Sequence, residues 1–86
     1  MDLTIINILK EICNNGYEAY IVGGYVRDNL LRKKSFDVDI CTNARPKDLL
    51  KIFGSSVTLV EEYGAVKLTK GKYNIDITTF RKEEKY

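Results

Sequence analysis

Two aspartates, Asp37 and Asp39, stand two positions apart in the stretch FDVDICT, with Val38 and Ile40 interleaved. In a strand, alternate side chains share a face. This spacing therefore projects both carboxylates to one side and turns Val38 and Ile40 toward a core. Paired carboxylates repel each other unless a cation lies between them, and a hard ion such as Mg²⁺, which takes oxygen ligands and keeps waters, is the natural occupant. Upstream, the apolar pair Ile21-Val22 runs into Gly23-Gly24, and Arg27-Asp28 follow. Glycine lets a ligand approach the backbone closely. These two lead into a helix N-terminus, whose free N–H groups and dipole favour phosphate. Arg27, in the first turn of that helix, would add a fixed charge and a forked donor. A phosphate cradle beside a paired-carboxylate metal site describes a nucleoside triphosphate handled with Mg²⁺.

Each half is weak alone. A double glycine is usually a turn, and an Asp-x-Asp is usually a solvated strand end or a helix cap. Their combination, a strand, Gly-Gly, Arg-Asp and then Asp-x-Asp, is far more specific. The phosphate loop with Gly-Lys-Ser/Thr and the dinucleotide fingerprint Gly-x-Gly-x-x-Gly are both absent from the sequence.

The elements that must hold these residues follow in order. Leu3, Ile6, Leu9, Ile12 and Cys13 fall at helical spacing, so residues 3–13 form an amphipathic helix with Asp2 as its N-cap and Asn14-Asn15-Gly16 as its stop. A strand at 18–22, the glycine turn and a helix at about 25–31 come next. Arg32-Lys33-Lys34-Ser35 is a basic loop, either a solvated connector or a source of positive potential beside triphosphate or RNA. The aspartates lie on a strand at 37–42. Pro46 suits the first turn of a further helix, with Leu49, Leu50, Ile52 and Phe53 as its apolar face and Gly54 as its end. Strands are expected at 57–60, 65–69 and 75–80, the last two joined at Lys70-Gly71-Lys72 as a hairpin. In the last strand Asn74, Asp76 and Thr78 share a face. Asp76 would be a third acidic group beside Asp37 and Asp39 if the strands are adjacent; a plain sheet-surface residue is the simpler reading. The six tyrosines form no regular stripe and read mostly as core edges.

At 86 residues the chain is one small domain, and its 44% hydrophobic content can build a core. A net charge of +2 is too mild to indicate nucleic-acid binding by itself. Cys13 and Cys41 are far apart and there is no histidine, which excludes the usual zinc spacings and histidine acid–base chemistry. Free thiols in a reducing cytoplasm are the simplest reading, with one disulfide as the alternative. Asp2, Lys10 and Glu11 interrupt the apolar N-terminal stretch, so no signal peptide is expected, and no segment approaches the length needed to span a membrane.

The stretches GGYVRD and FDVDICT, with EYGAVKL and DITTFRKEEKY downstream, resemble the head domain of the tRNA nucleotidyltransferase / poly(A) polymerase family, in particular the bacterial-type (class II) CCA-adding enzymes. The resemblance runs from about Tyr17 to Tyr86. It implies an α+β nucleotidyltransferase fold, like the palm of polymerase β, with a mixed, mostly antiparallel sheet and helices packed on it. It also implies that Asp37 and Asp39 are the catalytic residues and hold Mg²⁺, and that Gly23, Gly24 and Arg27 contact the triphosphate of CTP or ATP. The partner it implies is the 3′ end of a tRNA or other RNA; Asp28 is expected to order the turn or pair with a basic neighbour instead of binding metal, and oligomeric state stays open. Two departures stand out. Leu31-Arg32 occupy the region where the family often has a loop glycine. The chain also ends where the segments that select the nucleotide and grip tRNA would begin, so residues 1–86 are expected to be one head domain of a longer enzyme, incomplete for CCA addition by itself. A stand-alone minimal nucleotidyltransferase would carry Gly-Ser in place of Gly23-Gly24; a non-catalytic nucleotide- or RNA-binding module remains the rival from another class.

Overall fold

The computed structural model describes residues 2–23, 36–60 and 64–80. Along them run α1 (Leu3–Asn14), β1 (Ala19–Val22), β2 (Asp37–Thr42), α2 (Pro46–Phe53), a short 3-10 turn (Gly54–Ser56), β3 (Val57–Val60), β4 (Ala65–Lys70) and β5 (Tyr73–Thr79). The strands form one sheet in the order β1-β2-β5-β4-β3. β1–β2, β3–β4 and β4–β5 are antiparallel, and the central β2–β5 pair is parallel. This is the α+β arrangement, with a mixed and mostly antiparallel sheet, that the sequence implied. The helix expected at about 25–31 and the basic loop at 32–35 lie outside the described residues.

Strand alternation sorts the side chains. Val38 and Ile40 of β2, Tyr73, Ile75 and Ile77 of β5, Val66 and Leu68 of β4, and Val57 of β3 turn to one face and are buried. There α1 contributes Ile5, Ile8 and Ile12, and α2 contributes Leu49, to one continuous core that also takes in Ala44. Burying each of the valine, leucine and isoleucine side chains contributes about 1.5–3 kcal/mol.

Asp2 caps α1 as expected: its Oδ1 accepts from the Thr4 N–H at 2.8 Å. The helix is rotated relative to the expected stripe, however. Leu3 is 66% exposed and Cys13 is exposed, while Ile5, Ile8 and Ile12 face the sheet. Both sets have helical spacing. Tyr73 donates its hydroxyl to Asp2 Oδ2 at 2.9 Å, which ties the start of α1 to β5 in this orientation. On α2, Pro46 occupies the first turn, and the Asp48 carboxylate accepts from the Arg45 N–H at 3.0 Å. Leu50, expected on its buried face, is 38% exposed, because Leu49 alone points straight into the core.

The β4–β5 hairpin closes through Gly71 (φ 57°) and Lys72. β5 begins at Tyr73 and ends at Thr79, so Phe80 follows the strand instead of ending it. No described helix is long and apolar enough to cross a membrane.

Candidate active site

No described helix covers the second face of the sheet, which carries the polar residues of the central strands. Asp37 and Asp39 project there from β2, and Asn74, Asp76 and Thr78 from β5. The β2–β5 register sets Asp39 beside Asp76 and Asp37 beside Asn74. β4 continues the rows, with Lys67 opposite Asp76 and Thr69 opposite Asn74. On the other flank, Val22 of β1 pairs with Asp39 and Tyr20 with Cys41. One row across the sheet therefore reads Val22, Asp39, Asp76, Lys67. A depression beside it is lined by Asp37, Lys67, Thr69, Asn74 and Asp76.

Side-chain and backbone hydrogen bonds fix this register at the C-terminal end of β2. Thr42, fully buried, donates its hydroxyl to the Glu18 carbonyl and accepts from the Ala44 N–H at 3.1 Å. The Phe80 N–H donates to the Thr42 carbonyl at 2.9 Å, and the Thr79 hydroxyl to the Ala44 carbonyl at 2.7 Å. Asn43 Oδ1 accepts from the Glu18 N–H at 2.7 Å. β1, β2 and β5 are thereby tied together within one turn of chain, and the lateral position of the aspartates follows.

At the opposite end, β1 runs into Gly23, whose φ of +77° is a conformation that residues with a Cβ rarely adopt. A Cβ built there would lie 3.4 Å from Asp39 Oδ2. The glycine turn thus abuts the second aspartate, and the two halves of the sequence motif meet in space. Gly24, Arg27 and Asp28 lie outside the described residues.

Three carboxylates on adjacent strands make this face locally acidic, and Lys67 is the lysine that the sheet register sets against them. Among the described residues, no three His, Cys, Asp or Glu side chains converge closely enough to cage an ion unaided. An open site with two carboxylates nevertheless suits Mg²⁺, which keeps waters and takes phosphate oxygens from its substrate instead of demanding an all-protein cage. The donors are all hard oxygens, so the residues present fit that ion.

Lys67 was not singled out in the sequence, although the alternation of β4 places it on this face. Tyr20 departs from its reading as a core edge: it is 52% exposed on the aspartate side. Its hydroxyl donates to Glu18 Oε1 at 2.6 Å, and that bond to a carboxylate raises its pKa above 10.0. Its ring lies 6.2 Å from that of Phe80, tilted by 44°. Tyr73, by contrast, is buried, and Tyr17 is half-buried; Tyr25, Tyr63 and Tyr86 lie outside the described residues. A larger hollow of about 580 Å³ opens on the helical side, among α1, α2 and the β4–β5 hairpin. It contains Glu11 and Lys70 but none of the paired carboxylates, so its size does not make it the site of their chemistry.

The Poly A polymerase head domain family matches residues 19–86. The CCA-adding enzyme of Staphylococcus epidermidis is 42% identical over 79 residues, which are 92% of this chain and 20% of that protein. Its counterpart in Staphylococcus aureus strain Newman is 40% identical over the same span. Among solved structures, the Bacillus stearothermophilus CCA-adding enzyme in complex with CTP superposes with a TM-score of 0.77 at 35% identity, over 93% of this chain and 21% of that one. A tRNA nucleotidyltransferase complexed with a primer tRNA and an incoming ATP analog gives 0.68 at 34% identity, over 90% of this chain and 24% of that one. The chain spans about a fifth of the length of the curated relatives it matches.

Proposed function

This chain belongs to the poly(A) polymerase head-domain family, and on that premise we propose that it is the catalytic head of an RNA nucleotidyltransferase of the CCA-adding kind. The reading is that it transfers a nucleoside monophosphate from CTP or ATP to the 3′-hydroxyl of a tRNA. The observation that carries it is the contact of the Gly23 turn with Asp39 on an open sheet face, in a chain about 40% identical to CCA-adding enzymes.

In this reading the carboxylates of Asp37 and Asp39 hold Mg²⁺. The ion supplies charge neutralisation and polarisation of the phosphoryl oxygens. The backbone of Gly23 and Gly24 cradles the triphosphate, and the Arg27 guanidinium pairs with it. The 3′-oxygen of the RNA forms a bond to the α-phosphorus, the bond from that phosphorus to the bridging oxygen breaks, and pyrophosphate leaves in line. The fixed β2 register positions these groups, so the protein acts by placement and electrostatics.

Residues 1–86 are read as one head domain, a reading supported by the single sheet and single core among the described residues. The relatives' fivefold greater length supports its action as part of a longer enzyme. The setting proposed is the cytoplasm, where the two unpaired thiols of Cys13 and Cys41 stay reduced.

The test is a titration of the chain with Mg²⁺ and CTP or ATP, followed by amide NMR. Shifts at Gly23, Gly24, Arg27, Asp37 and Asp39 that require Mg²⁺ and vanish in Asp37→Ala/Asp39→Ala are expected. A folded chain that shows none would overturn the assignment of the triphosphate site to Gly23, Gly24, Arg27, Asp37 and Asp39.

A further inference from the structure

The Tyr20–Phe80 pair lies on the aspartate face, at the opposite end of β2 from the glycine turn. Val22 pairs with Asp39 and Tyr20 with Cys41, so Tyr20 is one same-face step, roughly 7 Å, along the sheet from the Asp39 row. Gly23 continues β1 in the other direction, toward Asp37. Phe80 follows Thr78, which stands on the far side of β2 beside Cys41. Tyr20 on β1 and Phe80 just past the end of β5 thus bring their rings within 6.2 Å of each other at the C-terminal end of β2.

Tyr20 is held through its hydroxyl and Phe80 through its backbone. The Tyr20 hydroxyl is held by Glu18 at 2.6 Å, and the Phe80 backbone donates to Thr42 at 2.9 Å. Half the surface of Tyr20 is nonetheless open to solvent. A fixed and exposed aromatic surface suits stacking of a nucleobase, which contributes mostly through the ring face and tolerates any base.

Which nucleobase is decided by the direction of the reaction. In an in-line displacement the attacking and leaving oxygens lie on opposite sides of the phosphorus. With the β- and γ-phosphates over the glycine turn, the Tyr20 end of the aspartate face lies away from the leaving group and is open to an acceptor. We propose that Tyr20 and Phe80 form the platform on which the terminal nucleobase of the RNA acceptor stacks. This inference rests on the catalytic reading for its direction, but the stacking itself is measurable without catalysis.

The test uses the 86-residue chain and two separate probes, single-stranded tetracytidylate and Mg²⁺–CTP. Tetracytidylate is expected to move the ring-proton resonances of Tyr20 and Phe80 upfield. Tyr20→Leu is expected to weaken tetracytidylate binding about tenfold and to leave Mg²⁺–CTP binding as in the wild type. Tyr20→Phe, which keeps the ring and loses the bond to Glu18, is expected to retain most of the affinity for tetracytidylate. Phe80→Leu provides a second variant should Tyr20→Leu disturb the amide spectrum of β2. Unchanged tetracytidylate binding in the leucine variants overturns the platform. A loss confined to Mg²⁺–CTP also overturns it, by assigning the rings to the incoming nucleotide. A wild-type chain that binds tetracytidylate through these rings but takes no Mg²⁺–CTP supports the platform and counts against the catalytic reading alone. The reverse pattern overturns the platform alone.

Discussion

Asp39 and Asp76 stand side by side across the parallel β2–β5 pair, and Lys67 faces Asp76 from β4. Like charges placed directly opposite on a sheet destabilise it. The face that would take a cation is therefore one whose charge opposes the metal-free fold.

Asp39→Asn is expected to stabilise the chain without Mg²⁺ by about 0.2–1 kcal/mol. With Mg²⁺ present, the wild type should gain thermal stability, since a ligand that binds the folded state raises its midpoint, and the variant should not. Thermal melts with and without the ion check both halves. An equal Mg²⁺ response in the variant would remove Asp39 from the ion's ligands.

Gly23→Ala is expected to cost about 1–2 kcal/mol, the strain of a left-handed residue that has a Cβ. The new methyl would meet Asp39 Oδ2 only at 3.4 Å, an ordinary contact, so backbone strain and not crowding should dominate. Gly23→Asn, whose side chain tolerates this conformation better, should cost less despite being larger. Urea midpoints of the two variants decide between strain and crowding.

Asp2 should make stability depend on pH in the acid range. The Thr4 backbone N–H, first, and the Tyr73 hydroxyl, second, hold its pKa below the ordinary value of 3.8. A depressed carboxylate pKa gives a contribution fully present above 3.8 and lost as pH falls through the lower, folded-state value. In Asp2→Asn that portion of the acid sensitivity should disappear. The gap in urea midpoint between wild type and variant should be widest above this window and narrow below it.

Ile40→Ala removes a fully buried side chain between the two aligned aspartates and the helices. A loss of about 2–5 kcal/mol is expected, comparable to the whole stability of a domain of this size. Far-UV circular dichroism should show a largely unfolded chain at 37 °C. Asp37→Asn, on the open face of the same strand, should leave the spectrum intact.

Much of this architecture could be read from the sequence because its signals are local. The β2 boundaries at 37 and 42, the turn at Gly71, the proline start of α2 and the Asp2 cap each depend on a few adjacent residues. The rotation of α1 was not local. Two overlapping apolar stripes have helical periodicity, and the choice between them is made by residues far along the chain, the core strands that receive Ile5, Ile8 and Ile12 and the Tyr73 hydroxyl, 71 positions from Asp2. The same holds for the site. Asp37 and Asp39 declare a shared face by spacing alone, whereas the adjacency of Asp76 and Lys67 needs the strand order, which alternation does not encode. Tyr20 looked like any edge tyrosine until β1 was paired with the aspartate strand.

The parallel register of β2 with β5 has a further consequence, for the order in which the molecule comes together. Residues 37–42 meet residues 74–79, which lie 37 positions later in every pair, and both α2 and the β3–β4 pair fall in the interval. Such a non-local pairing closes a long loop, and rates fall as contacts of this kind come to dominate a topology. The β3–β4 and β4–β5 ribbons can zip early from neighbouring residues; the aspartate strand docks between β1 and β5 only when that ribbon exists. On an emerging chain, Asp37 and Asp39 would leave the ribosome well before the strand that aligns them, so the acidic face would be assembled last.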